Sequence, residues 1–143
     1  MSNQPTSGLP PSLIISSRDL ARLEALLDSP VLSRHPAAIA LMDELNRAEV
    51  LPPERVPADV VTMHSRVECE DIATGEDHVL TLVYPNEADV EKGRVSVLAP
   101  VGSALLGLSV GQSIEWEAPG ARTLKLRVRS VRYQPEAAGD FHR

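Results

Sequence analysis

A chain of 143 residues has room for one domain, or for a small domain with a helical appendage. Its 43% hydrophobic and 24% charged residues make a globular composition, and only 3% aromatics leaves Leu, Val, Ile and Ala to build the core. The net charge of −6 argues against non-specific attraction to nucleic acid, which needs a field of the opposite sign.

Residues 1–12 are polar and rich in Pro and Gly, and they read as a disordered tail. They lack the basic start and apolar run of a secretory signal. No apolar run reaches the roughly 20 residues of a membrane span, so no membrane contact is expected. Residues 13–51 read as a helical hairpin. Ser16 or Ser17 offers an N-cap, Asp19 suits the first turn, and Leu20, Leu23, Leu26 and Leu27 give an apolar stripe. Ser29-Pro30 ends this helix of about 11 residues, ~17 Å long. Pro36 opens a second helix with Ala38, Leu41, Met42, Leu45 and Ala48 on one face, and Leu51-Pro52-Pro53 stops it. Two such helices joined by a short loop read as an antiparallel pair that needs packing partners to persist.

Residues 52–57 carry three prolines and read as a linker. Residues 58–134 read as a compact antiparallel β-domain. Val61, Met63, Ser65, Val67 and Cys69 alternate with polar residues, which predicts one half-buried strand. Ala73 to Glu76 has turn chemistry, Val79–Tyr84 is apolar on both faces and reads as a central strand, and Arg94–Leu98 reads as a third. Pro100–Gly107 reads as a short helix closed by Gly107. Ser113–Glu117 and Thr123–Tyr133 form the last hairpin around Pro119-Gly120. A five-residue loop, Ala118–Arg122, puts Trp116 opposite Leu124, Ile114 opposite Leu126 and Glu115 opposite Lys125. Gln134 onward, with 135–143 as a C-terminal tail, is expected to be mobile.

The residues with chemical potential do not form a catalytic set. His35, His64, His78 and His142 lack helical pair spacing or a Cys partner for zinc, and His64 and His78 could meet only as a cross-strand pair. Glu68, Glu70, Asp71, Glu76 and Asp77 crowd a hairpin end and read as solvated. The single Cys69 cannot form an internal disulfide, suits a reducing cytoplasm and reads as a buried structural residue. Lys125, Arg127, Arg129 and Arg132 make a basic stripe. It could contact nucleic acid, but Glu115 and Glu117 on the neighbouring strand favour a paired solvent face. No phosphate-binding glycine loop or nucleophile motif is present, and no cofactor or metal is expected.

One segment is more specific. Ser96-Val97-Leu98-Ala99-Pro100-Val101-Gly102-Ser103-Ala104-Leu105-Leu106-Gly107, followed by Val110-Gly111, resembles the C-terminal signature of the GreA/GreB transcription elongation factors. Ala99 and Gln112 replace that signature's Ser and Asp. Asp59–Val67, Thr81–Pro85 and Tyr133–Asp140 resemble the regulators of nucleoside diphosphate kinase, the Rnk branch, and the likeness runs from about Ile14 to Asp140.

The resemblance implies an α+β protein: a short N-terminal coiled coil and a β-domain like that of the FK506-binding proteins, with one short helix. It implies a cytoplasmic, monomeric partner of bacterial RNA polymerase that docks at the rim of the secondary channel. By position, the docking turn falls on Leu98, Ala99 and Pro100. Gre factors carry paired acids at the tip of a long coiled coil, which help hold the polymerase's catalytic magnesium. Here the tip, Asp28 to His35, offers Asp28 with Arg34 and His35, so the expectation is competition with Gre-type factors without stimulated transcript cleavage. Effects on nucleoside diphosphate kinase would be indirect. The alternatives are a peptidyl-prolyl isomerase, by fold analogy alone, and a nucleic-acid-binding module using the last strand. Direct DNA binding is not expected, and the chain is read as a binder and not an enzyme.

Overall fold

The computed structural model describes residues 13–118 and 122–140; the tail expected at 1–12, the Pro119-Gly120 turn and His142 lie outside them. In chain order the elements are β1 (Ile14–Ser16), α1 (Ser17–Leu27), α2 (Pro36–Arg47), β2 (Glu49–Leu51), β3 (Arg66–Asp71), β4 (Asp77–Val83), β5 (Arg94–Ser96), α3 (Pro100–Leu105), β6 (Ser113–Ala118), β7 (Arg122–Tyr133) and α4 (Pro135–Ala138). The fold is mixed α+β. Each helix of the first pair starts where its cap chemistry places it. The Ser16 hydroxyl accepts from the Asp19 N–H at 2.9 Å. At the second, His35 Nδ1 accepts from the Ala37 N–H at 3.1 Å, beside Pro36 in the first turn. Leu23, Leu27, Ala38, Leu41 and Leu45 are buried, while Ile39, at the edge of the stripe, is half exposed.

The second helix stops at Arg47, before the prolines. The chain then extends, and β2 pairs in parallel with β1 through Ile14–Glu49, Ile15–Val50 and Ser16–Leu51. Three-residue strands carry too little alternation to be read in advance.

The second sheet has the order β5-β4-β3-β7-β6. The last hairpin keeps the expected register: Trp116–Leu124, Ile114–Leu126, Glu115–Lys125 and Glu117–Thr123, with Ala118–Arg122 pairing as well. Three expectations are corrected. The sheet is not wholly antiparallel, because β5 pairs in parallel with β4. The polar connection 84–93 crosses back along β4 through two 3-10 turns, and composition does not reveal that direction.

The strand read from Val61 begins only at Arg66. Val60, Val61, Thr62 and Met63 are all buried, which one alternating strand face cannot achieve. The chain turns at Thr62–Ser65, closed by the Ser65 N–H to the Thr62 carbonyl (3.0 Å) and the Thr62 N–H to the Ser65 hydroxyl (2.9 Å). Finally, part of the segment read as a mobile tail, Pro135–Ala138, folds back as α4. Gln134 is buried, and its amide donates to the carbonyls of Pro57 and Val60, both at 2.7 Å.

The core is continuous across the proline-rich segment. Leu13, Ile15, Leu23, Leu27, Leu41 and Leu45 join Val61, Met63, Val67, Cys69, Leu82, Leu105 and Leu108 in one cluster. Burying such side chains stabilises by about 1.5–3 kcal/mol each, so the helical pair and the β-domain hold one another. Gly107 seals the seam. It has φ +84, its N–H donates to the Val61 carbonyl at 2.9 Å, and its carbonyl accepts from the Ile14 N–H at 3.2 Å. Any side chain there would be strained and would press on Leu13.

Gly102 explains how α3 sits so near β5. A Cβ at this position would lie 2.0 Å from the Ser96 carbonyl oxygen, a backbone atom that cannot rotate away. Gly102→Ala should therefore lower stability by about 1–3 kcal/mol or more. Urea denaturation checks this as a fall in midpoint at unchanged slope; a wild-type midpoint would contradict the contact.

Candidate functional site

The seam between the helical pair and the β-domain carries a polar cluster. Asp19 is fully buried in the first turn of α1. One carboxylate oxygen accepts from the Met63 N–H at 3.1 Å, and the other from Arg22 at 2.5 Å. Arg22 also lies over the Tyr84 ring, 5.2 Å from its centroid, a cation–π contact worth about 0.5–1 kcal/mol where partly exposed. Burial, then the charge of Asp19, pushes the Tyr84 phenol far above its ordinary range. Beside it, Glu136 of α4 accepts from the Thr62 hydroxyl at 2.7 Å. Burial raises the Glu136 carboxyl, with a further push from Asp19, and this outweighs the Thr62 hydrogen bond and Arg22.

His64 sits at the tip of the Thr62–Ser65 turn with φ +68. That is an uncommon conformation for a residue with a side chain. Its ring stands edge-on to Tyr84 at 5.5 Å, and its Nε2 is 2.8 Å from Glu87. Burial opposes ionisation of Glu87, but the hydrogen bond and charge of His64, the Tyr84 N–H and Arg94 together hold the carboxyl below its usual value.

His64 and Glu87 form one wall of an open cleft of about 520 Å³ on the outer face of the sheet. Arg94, Thr81, Arg66 and Tyr133 form its floor, as register partners across β5, β4, β3 and β7. Asp140, after α4, closes the far side and accepts from the Tyr133 hydroxyl. Among the described residues, Tyr133 is the one Phe, Trp or Tyr ring of the lining.

The residues picked out in the sequence fall in separate places. Leu98 and Ala99 form the turn leading into α3, both partly exposed, and the Leu98 N–H donates to the Ser96 hydroxyl at 3.0 Å. Pro100 is the first residue of α3. Asp28, Arg34 and His35 are exposed in the connection between α1 and α2, where Val31 is 86% exposed. The basic stripe is tied down from an unexpected side. Arg127 reaches Glu70 at 2.7 Å, Arg129 reaches Asp77 at 2.9 Å, and Arg132 lies 3.5 Å from Glu68. These acids come from β3 and β4, while Lys125 is in register with Glu115 of β6.

His64 and His78 do not meet. His78 pairs with Cys69 across β3–β4, while His64 turns toward Glu87 and Tyr84. Cys69 is buried, and burial with the nearby Asp77 and Glu68 pushes its thiol up to about 11. That is the reverse of what a nucleophile needs. Among the described residues no group of three or more His, Cys, Asp or Glu is placed to hold a metal. Asp19 reads in the sequence only as a first-turn acid, and Arg22, Glu136 and the cleft residues Arg66 and Arg94 have no site role there, because nothing local distinguishes them from surface charges.

A capped helical pair packed on a five-stranded mixed sheet is the α+β frame that carries these residues. Residues 56–133 match the family described as "Transcription elongation factor, GreA/GreB, C-term", and residues 11–51 match "Rnk N-terminus". The chain belongs to the GreA/GreB transcription elongation factor family. Over 131 residues it is 49% identical to the "Regulator of nucleoside diphosphate kinase" of Escherichia coli (strain K12), covering 92% of this chain and 96% of that protein. It is 36% identical over 94 residues to "Transcription elongation factor GreA" of Thermodesulfovibrio yellowstonii, covering 66% of this chain and 59% of that one. Among solved structures, "Prokaryotic transcription elongation factor GreA/GreB from Nitrosomonas europaea" is similar, with a TM-score of 0.71 and 46% identity. That match covers 86% of this chain and 99% of that chain.

Two substitutions probe the seam. Asp19→Ala strands the buried Met63 N–H and leaves Arg22 without its carboxylate. It should cost about 1–3 kcal/mol in denaturant titrations. Glu136→Gln keeps an oxygen for the Thr62 hydroxyl but removes a charge that burial disfavours. A carboxyl raised in the folded state weakens folding as pH rises through its folded pKa. Relative to wild type, Glu136→Gln should therefore be more stable at neutral pH, and the gain should vanish as the solution is acidified past the ordinary Glu range. A gain that grows on acidification would reverse the assignment.

Proposed function

We propose that this protein is a regulator that binds bacterial RNA polymerase, docking through the turn Leu98-Ala99-Pro100 at the rim of the secondary channel. It competes there with Gre-type factors without stimulating transcript cleavage. Membership of the GreA/GreB family supports the choice of partner. A monomer acting in the cytoplasm, with a short coiled coil and a β-domain like that of the FK506-binding proteins, fits the same reading. Changes in nucleoside diphosphate kinase levels follow from altered transcription.

The carrying observation is the stature and chemistry of the helical pair. Helices of 11 and 12 residues are about 17–18 Å long. Much of that length is already packed into the shared core. The connection 28–35 contains one carboxylate, Asp28, beside Arg34 and His35. Added magnesium ligation needs several converging oxygens within about 2.1 Å of the ion. One exposed carboxylate on a short, anchored projection is poorly suited to that task, whereas occupying a shared docking surface excludes competitors by mass action.

A cleavage assay with purified, stalled polymerase tests this. The protein alone should give no stimulation, and it should reduce the cleavage produced by added GreA in a concentration-dependent way. Stimulation by the protein alone would overturn the reading. Pro100→Asp places a charge in the docking turn at a helix position where an acid is well tolerated, so the variant should fold yet be retained less by core polymerase. Equal retention would move the contact elsewhere.

A further inference from the structure

We propose that the cleft on the outer sheet face is a binding site for the phosphate group of a small molecule, gripped by Arg66 and Arg94. It stands apart from the polymerase reading and from the residues that carry it. The first ground is geometric. Arg66 and Arg94 are both register partners of Thr81, one on each neighbouring strand. With strands about 4.8 Å apart, their Cα atoms lie roughly 10 Å apart across Thr81. Register partners share a face, so two guanidinium groups and a hydroxyl line one concavity. Its volume of about 520 Å³ suits a small ligand.

The second ground is what each charge in the cleft already holds. Glu87 accepts from the Tyr84 N–H at 3.3 Å and is joined to His64 at 2.8 Å. Asp140 accepts from the Tyr133 hydroxyl. Both carboxylates are therefore supplied with donors by the protein itself. Arg66 and Arg94 make no side-chain hydrogen bond or ion pair among the described residues, although Arg94 lies near enough to Glu87 to favour its charge. The basic side chains of the adjoining stripe behave differently, with Arg127 and Arg129 each bonded to a carboxylate. Among the described residues, the unmet demand in the cleft is for a hydrogen-bond acceptor that carries negative charge.

The third ground selects the ligand class. A carboxylate has two oxygens, whereas a terminal phosphate has three that can accept from two guanidinium forks and a hydroxyl at once. A polymer backbone is disfavoured, because Glu87 and Asp140 bound the cleft and no uninterrupted basic track leads out of it among the described residues. A discrete phosphate on a small molecule fits these limits.

The test is an amide-shift titration of the isotope-labelled full chain with inorganic phosphate, pyrophosphate and hexaglutamate. Phosphate and pyrophosphate should shift Arg66, Thr81, Arg94 and Tyr133, with pyrophosphate the tighter. Arg66→Gln and Arg94→Gln should each weaken binding about tenfold or more, as expected for loss of charge-assisted bonds. Arg55→Gln, an exposed charge elsewhere, should leave it unchanged. Arg66→Lys keeps the charge and loses the fork, so it should fall between wild type and Arg66→Gln. Three results would each overturn the proposal: no cleft shifts up to about 10 mM of either phosphate, wild-type affinity in both Gln variants, or tighter binding of hexaglutamate. The last would assign the cleft to an acidic protein segment instead.

Discussion

A carboxylate buried in the first turn of a helix has to be fully satisfied or the surrounding structure gives way. Asp19 meets that condition by reaching in two directions. Its backbone N–H is taken by the Ser16 cap, one oxygen by Arg22 on the next turn, and the other by the Met63 N–H of the β-domain. The same side chain thus starts a helix and fixes where that helix sits. Around it the apolar residues of both helices merge with those of α3 and the sheet into a single core. Freed from this seam, an 11-residue helix would be marginal in water.

This constraint bears on function through rigidity and reach. A projection meant to enter a deep channel would keep its length clear of the body that carries it. Here the buried leucines of α1 and α2 share one cluster with those of the β-domain, while Asp28, Val31 and Arg34 of the connection stay exposed. The one strongly exposed apolar side chain there is Val31. The exposed face of the sheet is chemically divided as well. Its basic stripe is closed off by acids from β3 and β4, and at the opposite end lies a cleft whose Arg66 and Arg94 have no side-chain partner among the described residues. The left-handed backbone at His64 belongs to that end, and strain of this kind gathers where a side chain must be aimed.

Local chemistry settled a good deal in advance. Cap residues, prolines and stripes of leucine set the bounds of α1 and the start of α2, because these depend on neighbours within one turn. The last hairpin's register followed from alternation and turn length, since a one-residue slip would turn every side chain to the wrong face. The motif from Ser96 to Gly107 carried the family, and its glycines mark real close approaches at Gly102 and Gly107.

What the chain alone could not declare was everything fixed by contacts between distant residues. The direction of β5, the strand pair formed by β1 and β2, the early turn at His64 and the docking of α4 all depend on partners far away in sequence. Burial of Asp19 does too: its neighbours look like any exposed helix turn until Met63, 44 residues later, supplies the donor. The cleft is the plainest case. Arg66, Thr81, Arg94 and Tyr133 stand on four strands and share no sequence pattern, and only the pairing of those strands lays them side by side.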